Sequence, residues 1–302
     1  MDGSLNAGYV TLKKFNPGKL SFSYFRTMEQ NRHCFVQIAN QKIKNHLLPP
    51  NLNKKSGGTH MRIIIVRHGD PNYELDTLTK TGWREAELAA EYLSKLQVKA
   101  FYVSPLGRAQ DTAGCTLKKM NRTAETLDWL REFEAHIDRP DVKNEKSICW
   151  DWLPQDMEKK PDLYDRERWD KTDIMQNGNV EEAYQWVCDG LDALLKKHGY
   201  ERDNLYYRVN EPNHDTIVLF CHFGVECVML SHLLNVSPMV FWHGLCAAPS
   251  SITSIYTEER RKGIASFRVN EFGSTTHLYV AGEKPSFAAR FCECYGDGDR
   301  QD

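Results

Sequence analysis

Two histidines in the sequence directly follow apolar, strand-like runs, and a glycine lies close behind each. The first run reads RIIIVRHG and leads to His68, and the second reads DTIVLFCHFG and leads to His222. A neutral imidazole, whose ordinary pKa is about 6.5, is a nucleophile at neutral pH and can also donate hydrogen bonds. The spacing therefore predicts two imidazoles at strand ends, one to attack a substrate and one to bind the transferred group.

Two arginines and a glutamate are expected beside these histidines. Arg67 precedes the first histidine, and Arg108 follows the strand pattern KAFYVSP. Two guanidinium groups offer the planar, paired donors that suit a doubly charged phosphate. Glu132 lies at the end of a third predicted strand, residues 127–133, and a carboxylic acid there can protonate a leaving oxygen. Glu134 stays as the alternative acid, because it would share a strand face with Glu132.

Alternating strand and helix patterns must position these groups. Continuous apolar runs predict parallel strands covered on both faces, and apolar residues at three- and four-residue spacing predict helices over 79–96, 108–120, 180–194 and 225–234. SSITSIYTEE, IASFRVNEF and THLYVAG predict short strands. The alternation predicts a three-layer α/β/α fold with a mostly parallel central sheet. Reactive groups in such sheets gather beyond the carboxyl ends of the strands, so the five side chains are expected on one rim.

Two segments stand apart from this alternation. Residues 135–178 are charged, aromatic and irregular, and we interpret them as an insertion with short helices. Residues 1–60 form a basic leader with nine Lys/Arg and two Asp/Glu. A disordered arm, a targeting peptide and a mis-assigned start are the alternatives for this leader. We favour the last, because two glycine codons just before Met61 can read as a bacterial ribosome-binding sequence. The domain is therefore expected to span residues 61–302.

The composition argues against several classes of protein. From residue 61 onward, 30 Lys/Arg stand against 39 Asp/Glu, which argues against a nucleic-acid partner. No apolar run reaches the roughly 18 residues of a membrane span, and no signal peptide is visible. The nine cysteines form no CxxC pair and are interpreted as reduced thiols of a cytoplasmic protein. Asp70 beside His68 hints at a metal pair, but arginines at the other strand ends argue against a metal site.

Five short motifs, taken in order, resemble those of a known family. They are RHG at 67–69, LTKTG at 78–82, SPLGRAQDTA at 104–113, LRE at 130–132 and CHFG at 221–224. The set resembles the histidine phosphatase superfamily, which has the phosphoglycerate-mutase-like fold. The resemblance covers Met61 to about Ala281, and each motif falls at a predicted strand end or helix start.

The resemblance implies a role for each of the five residues. His68 would be the nucleophile that becomes phosphohistidine, and Arg67, Arg108 and His222 would bind the phosphate, with His222 also acting in catalysis. Glu132 would protonate the leaving group and then activate water. The implied substrate is a small phosphorylated molecule, and no cofactor is implied.

Departures from the mutases of this family favour a phosphatase. RHG continues here with DPNYELD, and the acid region reads REFEAHI, where cofactor-dependent mutases carry a polar segment and an NERHYG-like stretch. No GxxxxGK[ST] motif occurs, which excludes the P-loop arrangement of the bifunctional kinases. The sequence thus predicts a metal-independent phosphomonoester hydrolase. A phosphomutase and a non-catalytic phospho-ligand-binding domain remain as alternatives, and the oligomeric state is left open.

Overall fold

The computed structural model describes residues 60–139, 142 and 146–288. The predictions for the leader, except at His60, fall outside these residues. The strands are β1 Arg62–Arg67, β2 Pro71–Asn72, β3 Thr77–Leu78, β4 Ala100–Val103, β5 Glu125–Thr126, β6 His136–Ile137, β7 Ser147–Ile148, β8 Tyr200–Asp203, β9 Tyr206–Val209, β10 Thr216–Cys221, β11 Ile252–Arg261 and β12 Ile264–Ser274. The helices are α1 Lys80–Leu93, α2 Gly107–Met120, α3 Pro154–Met157, α4 Asp173–Gln176, α5 Val180–Lys197, α6 Phe223–Leu234, α7 Pro238–Gly244 and α8 Thr276–Ala281.

Eight strands form a mixed central sheet in the order β5-β4-β10-β1-β11-β12-β9-β8. The first four strands in this order run parallel to one another, and the last four extend the sheet by antiparallel pairing. Because β10 lies between β4 and β1, the carboxyl ends of these three strands are neighbours. The predicted α/β fold is confirmed, and its parallel half carries the strand ends that the sequence singled out.

Side chains alternate between two cores on opposite faces of the sheet. On β1, Ile63 and Ile65 contribute to the larger core, whereas Ile64 and Val66 contribute to the smaller one. The larger core also contains buried residues of α5 and α6, and the smaller core contains residues of α1 and α2. Both faces of β1 and β10 are therefore covered, as expected for strands with continuous apolar runs. This is the predicted three-layer arrangement.

The start of α1 lies against the loop that follows β1. The Thr79 hydroxyl oxygen accepts a hydrogen bond from Gly82 N–H at 3.1 Å and caps the helix. A Cβ at position 82 would lie 2.2 Å from the carbonyl oxygen of Asp70, so only glycine allows this approach. The helix consequently supports the loop directly after His68. In the part of the chain that the structure describes, no helix has the length and apolar character needed to cross a membrane.

The prediction of a third strand over residues 127–133 is wrong. The parallel pairing with β4 is made earlier, by β5, and the chain then turns through a 3-10 helix at Asp128–Leu130. Trp129 and Leu130 are both buried in the larger core. Two adjacent side chains cannot enter the same core from an extended strand, so burying both turns the chain away from the sheet.

Two further elements differ from the predictions. THLYVAG forms α8 instead of a strand, and its adjacent residues His277 and Leu278 are both buried. The hairpin of β8 and β9 was not predicted, because its strands are polar and carry no clear apolar alternation. Asn204 in its two-residue connection has φ 54°, a left-handed conformation that suits a tight hairpin turn.

The predicted insertion, residues 135–178, packs against α7. Its described residues contain the pair β6–β7, the short helices α3 and α4, and two 3-10 turns. Trp150 and Trp169 are buried, and their ring centroids lie 6.3 and 5.8 Å from that of Trp242 in α7. Large aromatic side chains thus anchor the insertion to the core.

Candidate active site

The two predicted histidines meet at the carboxyl ends of β1 and β10. These strands pair in parallel with Arg67 opposite Cys221, so His68 and His222 leave the sheet side by side. The backbone N–H of His68 donates to the Cys221 carbonyl at 3.0 Å. The imidazole centroids lie 5.0 Å apart at an interplanar angle of 56°. The two side chains therefore share one site.

The imidazole of His68 is held in a single tautomer. Its Nδ1 lies 2.8 Å from the carbonyl oxygen of Gly69, and because a carbonyl oxygen only accepts, Nδ1 carries the proton. Nε2 then keeps its lone pair. Burial, helped by the charge of Arg67, lowers the pKa of His68 well below its ordinary value. The ring is consequently neutral at neutral pH and can act as a nucleophile.

The imidazole of His222 has the complementary tautomer. Ser104 Oγ lies 2.8 Å from His222 Nε2 and accepts a hydrogen bond from Leu106 N–H at 3.2 Å, so the serine hydroxyl can donate to Nε2. With the hydroxyl donating to Nε2, the ring proton is on Nδ1, and among the described residues this buried Nδ1 has no hydrogen-bond partner. Burial, with His68 and Arg108 nearby, lowers the pKa of His222 well below its ordinary value. The site thus contains a neutral, unpaired N–H donor.

Arg67, the last residue of β1, is buried beside these histidines. Its Nη1 donates to the carbonyl oxygen of Ala247, and its guanidinium carbon lies 5.7 Å from the ring centroid of Phe223. Burial lowers the pKa of Arg67, whereas the carboxyl group of Glu132 raises it. The strand end thus fixes a cation within electrostatic range of Glu132.

Arg108 supplies the second cation, from the first turn of α2. Its Nη1 donates to Asp76 Oδ1 at 2.6 Å, and its guanidinium carbon lies 5.3 Å from the ring centroid of Tyr73. Its Nε, also buried, has no hydrogen-bond partner among the described residues. The charge of Arg108 lowers the pKa of both His68 and His222. Arg108 therefore belongs to the same electrostatic environment as the histidines and keeps a donor available.

Glu132, and not Glu134, lies at the site. Glu132 Oε1 accepts hydrogen bonds from Phe133 N–H at 2.8 Å and from Val225 N–H, in the first turn of α6, at 3.1 Å. Burial raises the pKa of Glu132, although Phe133 and Arg67 oppose that rise. The side chain of Glu134 is exposed to solvent. The structure therefore places Glu132 against α6 and Glu134 in solvent, because residues 132 and 134 do not share a strand face.

Gly224, two residues after His222, makes room for this acid. A Cβ at position 224 would lie 2.6 Å from Glu132 Oε1 and 3.0 Å from the ring of Trp150. Any larger residue would push the carboxyl group or the insertion's tryptophan away from the start of α6. The glycine of the HFG motif thus permits the close approach that brings Glu132 to the site.

A family model described as the histidine phosphatase superfamily (branch 1) matches residues 63–270, which include all five of these side chains. The chain belongs to this superfamily. The matched range also includes the insertion and most of the antiparallel half of the sheet.

Individual relatives of this chain are distant. A 2,3-bisphosphoglycerate-dependent phosphoglycerate mutase of Thermoplasma acidophilum is 37% identical over 79 residues, which are 23% of this chain and 40% of the mutase. The match therefore spans well under half the length of that protein. Among solved structures, a mycobacterial glucosyl-3-phosphoglycerate phosphatase is 19% identical with a TM-score of 0.48, covering 72% of this chain and 100% of its own. Phosphoserine phosphatase from Entamoeba histolytica is 21% identical with a TM-score of 0.47, covering 72% and 99%.

Two further residues of the site, Ser104 and Asp76, were not predicted from the sequence. Ser104, whose hydroxyl is hydrogen-bonded to Nε2 of His222, directly follows β4, so its position at a strand end was an available signal. Asp76 had no such signal, because it lies in the loop before β3 and meets Arg108 only in the folded chain. Burial raises the pKa of Asp76, but hydrogen bonds from Gly107 and Arg108 outweigh burial, so its pKa lies below the usual value.

Two other histidines have structural surroundings. His243 Nδ1 donates to the Met239 carbonyl at 2.8 Å, and its Nε2 accepts from Trp152 N–H at 2.9 Å. His277 Nε2 lies 3.2 Å from Ser250 Oγ in a buried pair. Within the described residues, no group of three or more His, Cys, Asp or Glu side chains is arranged to hold a metal ion.

Proposed function

We propose that this protein is a metal-independent phosphomonoester hydrolase that acts through phosphohistidine on a small phosphorylated metabolite. The observation that carries the proposal is the pair of complementary imidazoles. His68 has a free Nε2 lone pair, and His222, with its ring centroid 5.0 Å away, has an unpaired Nδ1–H. Binding a phosphate requires only hydrogen-bond donors. A nitrogen lone pair placed beside those donors can in addition attack phosphorus.

In the first step, the lone pair of His68 Nε2 forms a bond to phosphorus while the bond from phosphorus to the leaving oxygen breaks. Arg67, Arg108 and the Nδ1–H of His222 bind the non-bridging oxygens, whose charge must be stabilised in the transition state. Glu132 in its acid form transfers a proton to the leaving oxygen. The raised pKa of Glu132 supports this role, because burial keeps part of the carboxyl group protonated at higher pH. The products are a free alcohol and phosphohistidine at residue 68.

In the second step, water attacks phosphorus and the bond from phosphorus to His68 Nε2 breaks. Glu132, now a carboxylate, accepts a proton from the water. His68 regains its lone pair, and inorganic phosphate leaves with the oxygen of the water. The hydrogen bond from Nδ1 to Gly69 holds the same tautomer throughout, so the ring returns to the state that attacks again.

A phosphomutase is the second candidate, because the 79-residue match is to a bisphosphoglycerate-dependent mutase. A mutase would return the phosphoryl group to another oxygen of the substrate instead of passing it to water. Isomerisation of phosphoglycerates, measured with and without a bisphosphate primer, separates the two activities. Release of phosphate without isomer formation supports the hydrolase.

The central test uses His68→Ala and an aryl phosphate substrate. We expect His68→Ala to abolish turnover, while EDTA leaves the wild-type rate unchanged. His136→Ala is the matched control, because this histidine is exposed and lies outside the site. Rapid quenching with a radiolabelled donor should trap an acid-labile phosphoenzyme in the wild type and in His136→Ala, but not in His68→Ala. Turnover that survives in His68→Ala would reject the proposal, and a wild type that binds phosphate but forms no adduct would indicate a non-catalytic binding domain.

A further inference from the structure

A second buried carboxyl group lies next to the candidate phosphate site and has no part in the reaction described above. Glu226 lies in the first turn of α6, and its backbone N–H donates to the His222 carbonyl at 3.1 Å. Its exposed fraction is 1%. Among the described residues, its Oε1 has no hydrogen-bond partner. A buried carboxylate oxygen without a hydrogen-bond donor lowers the stability of the fold.

The groups that face Glu226 come from four elements and one loop. β1 contributes the positive charge of Arg67, and the segment before β6 contributes the carboxyl group of Glu132. The Thr253 hydroxyl of β11 hydrogen-bonds the carboxyl group. The remaining titratable neighbours are the thiols of Cys221 in β10 and Cys227 in α6. Burial raises the pKa of both thiols well above its ordinary value, so they stay neutral. Arg67 is thus the cation, and Glu132 the like charge, that Glu226 faces.

These surroundings leave Glu226 sensitive to charge in the site. Burial raises its pKa to about 7, while Thr253 and Arg67 oppose the rise. A tetrahedral dianion bound by Arg67 adds two negative charges close to Glu226 and draws on the cation that stabilises its carboxylate. Both effects favour the protonated form of a carboxyl group.

We propose that Glu226 is a positioning residue that balances charge behind the phosphate site. Its carboxylate form faces the charge of Arg67 when the site is empty, and the group takes up a proton from solvent when a tetrahedral dianion binds to Arg67. This inference rests on the proposed function, because it assumes that Arg67 binds the phosphoryl group. In the bound state the charges of Arg67 and Arg108 then offset the two negative charges of the ligand, with no second anion buried beside them.

Sulfate is the probe for this proposal, because it is a tetrahedral dianion that does not titrate near neutral pH. Calorimetry of sulfate binding in buffers of different ionisation enthalpy gives the number of protons taken up. At about pH 7.5 we expect the wild type to take up roughly half a proton more than Glu226→Gln. At about pH 5.5 the two should agree, because Glu226 is then already protonated in the empty site.

Glu132→Gln separates the two acids and leaves Glu226 in place. Proton uptake at about pH 7.5 should persist in Glu132→Gln, since Glu226 is its source. Glu226→Met is a second variant of similar volume, for use if the glutamine variant does not fold by circular dichroism. Equal proton uptake in the wild type and the folded Glu226 variants, or loss of uptake in Glu132→Gln, would overturn the inference while the phosphate site stands. Absence of sulfate binding to the wild type would overturn the phosphate site and this inference together.

Discussion

Asp76 and Arg108 form an ion pair in which Asp76 Oδ1 lies 2.6 Å from Arg108 Nη1. The other oxygen of Asp76 accepts a hydrogen bond from Gly107 N–H at 2.6 Å, so one carboxylate holds both the arginine and the start of α2. The side chain of Arg108 is 8% exposed, and that of Asp76 is 42% exposed. A nearly buried cation is therefore fixed by a carboxylate that lies near the solvent.

Replacing Asp76 should lower kcat/KM, because Arg108 loses the carboxylate that positions it. In Asp76→Asn one amide oxygen remains to accept from Gly107, but the amide N–H₂ group cannot pair with a guanidinium group. Asparagine also tolerates the φ of 44° at this position. We expect kcat/KM for an aryl phosphate to fall by about 10-fold, which corresponds to about 1.4 kcal/mol. Asp138→Asn is the control because Asp138 is exposed, and an unchanged kcat/KM in Asp76→Asn would show that the ion pair does not position Arg108.

Glu132→Gln should separate substrates by their leaving groups. The variant keeps an acceptor for Phe133 and Val225 N–H but cannot donate a proton. An alkyl phosphate needs protonation of its leaving oxygen, so we expect its kcat to fall by about 10²–10⁴-fold. A nitrophenyl phosphate leaves as a stabilised anion, and its rate of phosphoenzyme formation should fall far less.

Glu134→Gln is the matched control for the acid. This glutamate is exposed and only two residues away, so the substitution should change neither substrate's rate. Equal losses for both substrates in Glu132→Gln would argue that this residue does not protonate the leaving group. A larger loss in Glu134→Gln would assign the acid to the other glutamate.

The pH profile of turnover should be broad, with an acidic limb set by His68 and an alkaline limb set by Glu132. Neutral His68 is the active form, and burial lowers its pKa well below the ordinary value. Activity should therefore fall only when the pH drops well below the pKa of a free histidine. The acid form of Glu132 is the active donor, so activity on an alkyl phosphate falls as pH rises through its raised pKa. In Glu132→Gln the alkaline limb should vanish from the pH profile while the acidic limb stays. Persistence of both limbs would show that another group sets the alkaline one.

Replacing two mid-helix glycines with alanine should change the free energy of unfolding in opposite directions. A Cβ at Gly114 in α2 meets no atom within 4 Å, so Gly114→Ala gains helix propensity without a clash and should raise the free energy of unfolding by about 0.5–1 kcal/mol. A Cβ at Gly190 in α5 would lie 2.5 Å from the ring of Trp129, so Gly190→Ala should lower it, by about 1–3 kcal/mol. Urea unfolding of both variants measures these changes. Destabilisation of Gly114→Ala would mean that α2 needs the glycine for another contact.

The amino-acid sequence by itself determined the parallel strands and the side chains placed at their carboxyl ends. Runs such as IIIV bury both faces of a strand, and that local property places His68 and His222 at strand ends without knowledge of the fold. Arg67 and Arg108 are found by the same reasoning, since each lies at or just beyond such an end. Local sequence suffices there because the carboxyl ends of parallel strands all lie at one edge of the sheet.

The packing of distant elements places Glu132, and not Glu134, near the cations Arg67 and Arg108. Sequence periodicity predicts a strand over 127–133, whereas burial of Trp129 and Leu130 turns the chain and sends Glu132 to α6 and Glu134 to solvent. The pairing of Asp76 with Arg108 likewise depends on where a loop crosses the start of a helix. Such contacts join residues that are distant in the chain, and their geometry depends on how whole elements pack, which no local pattern encodes.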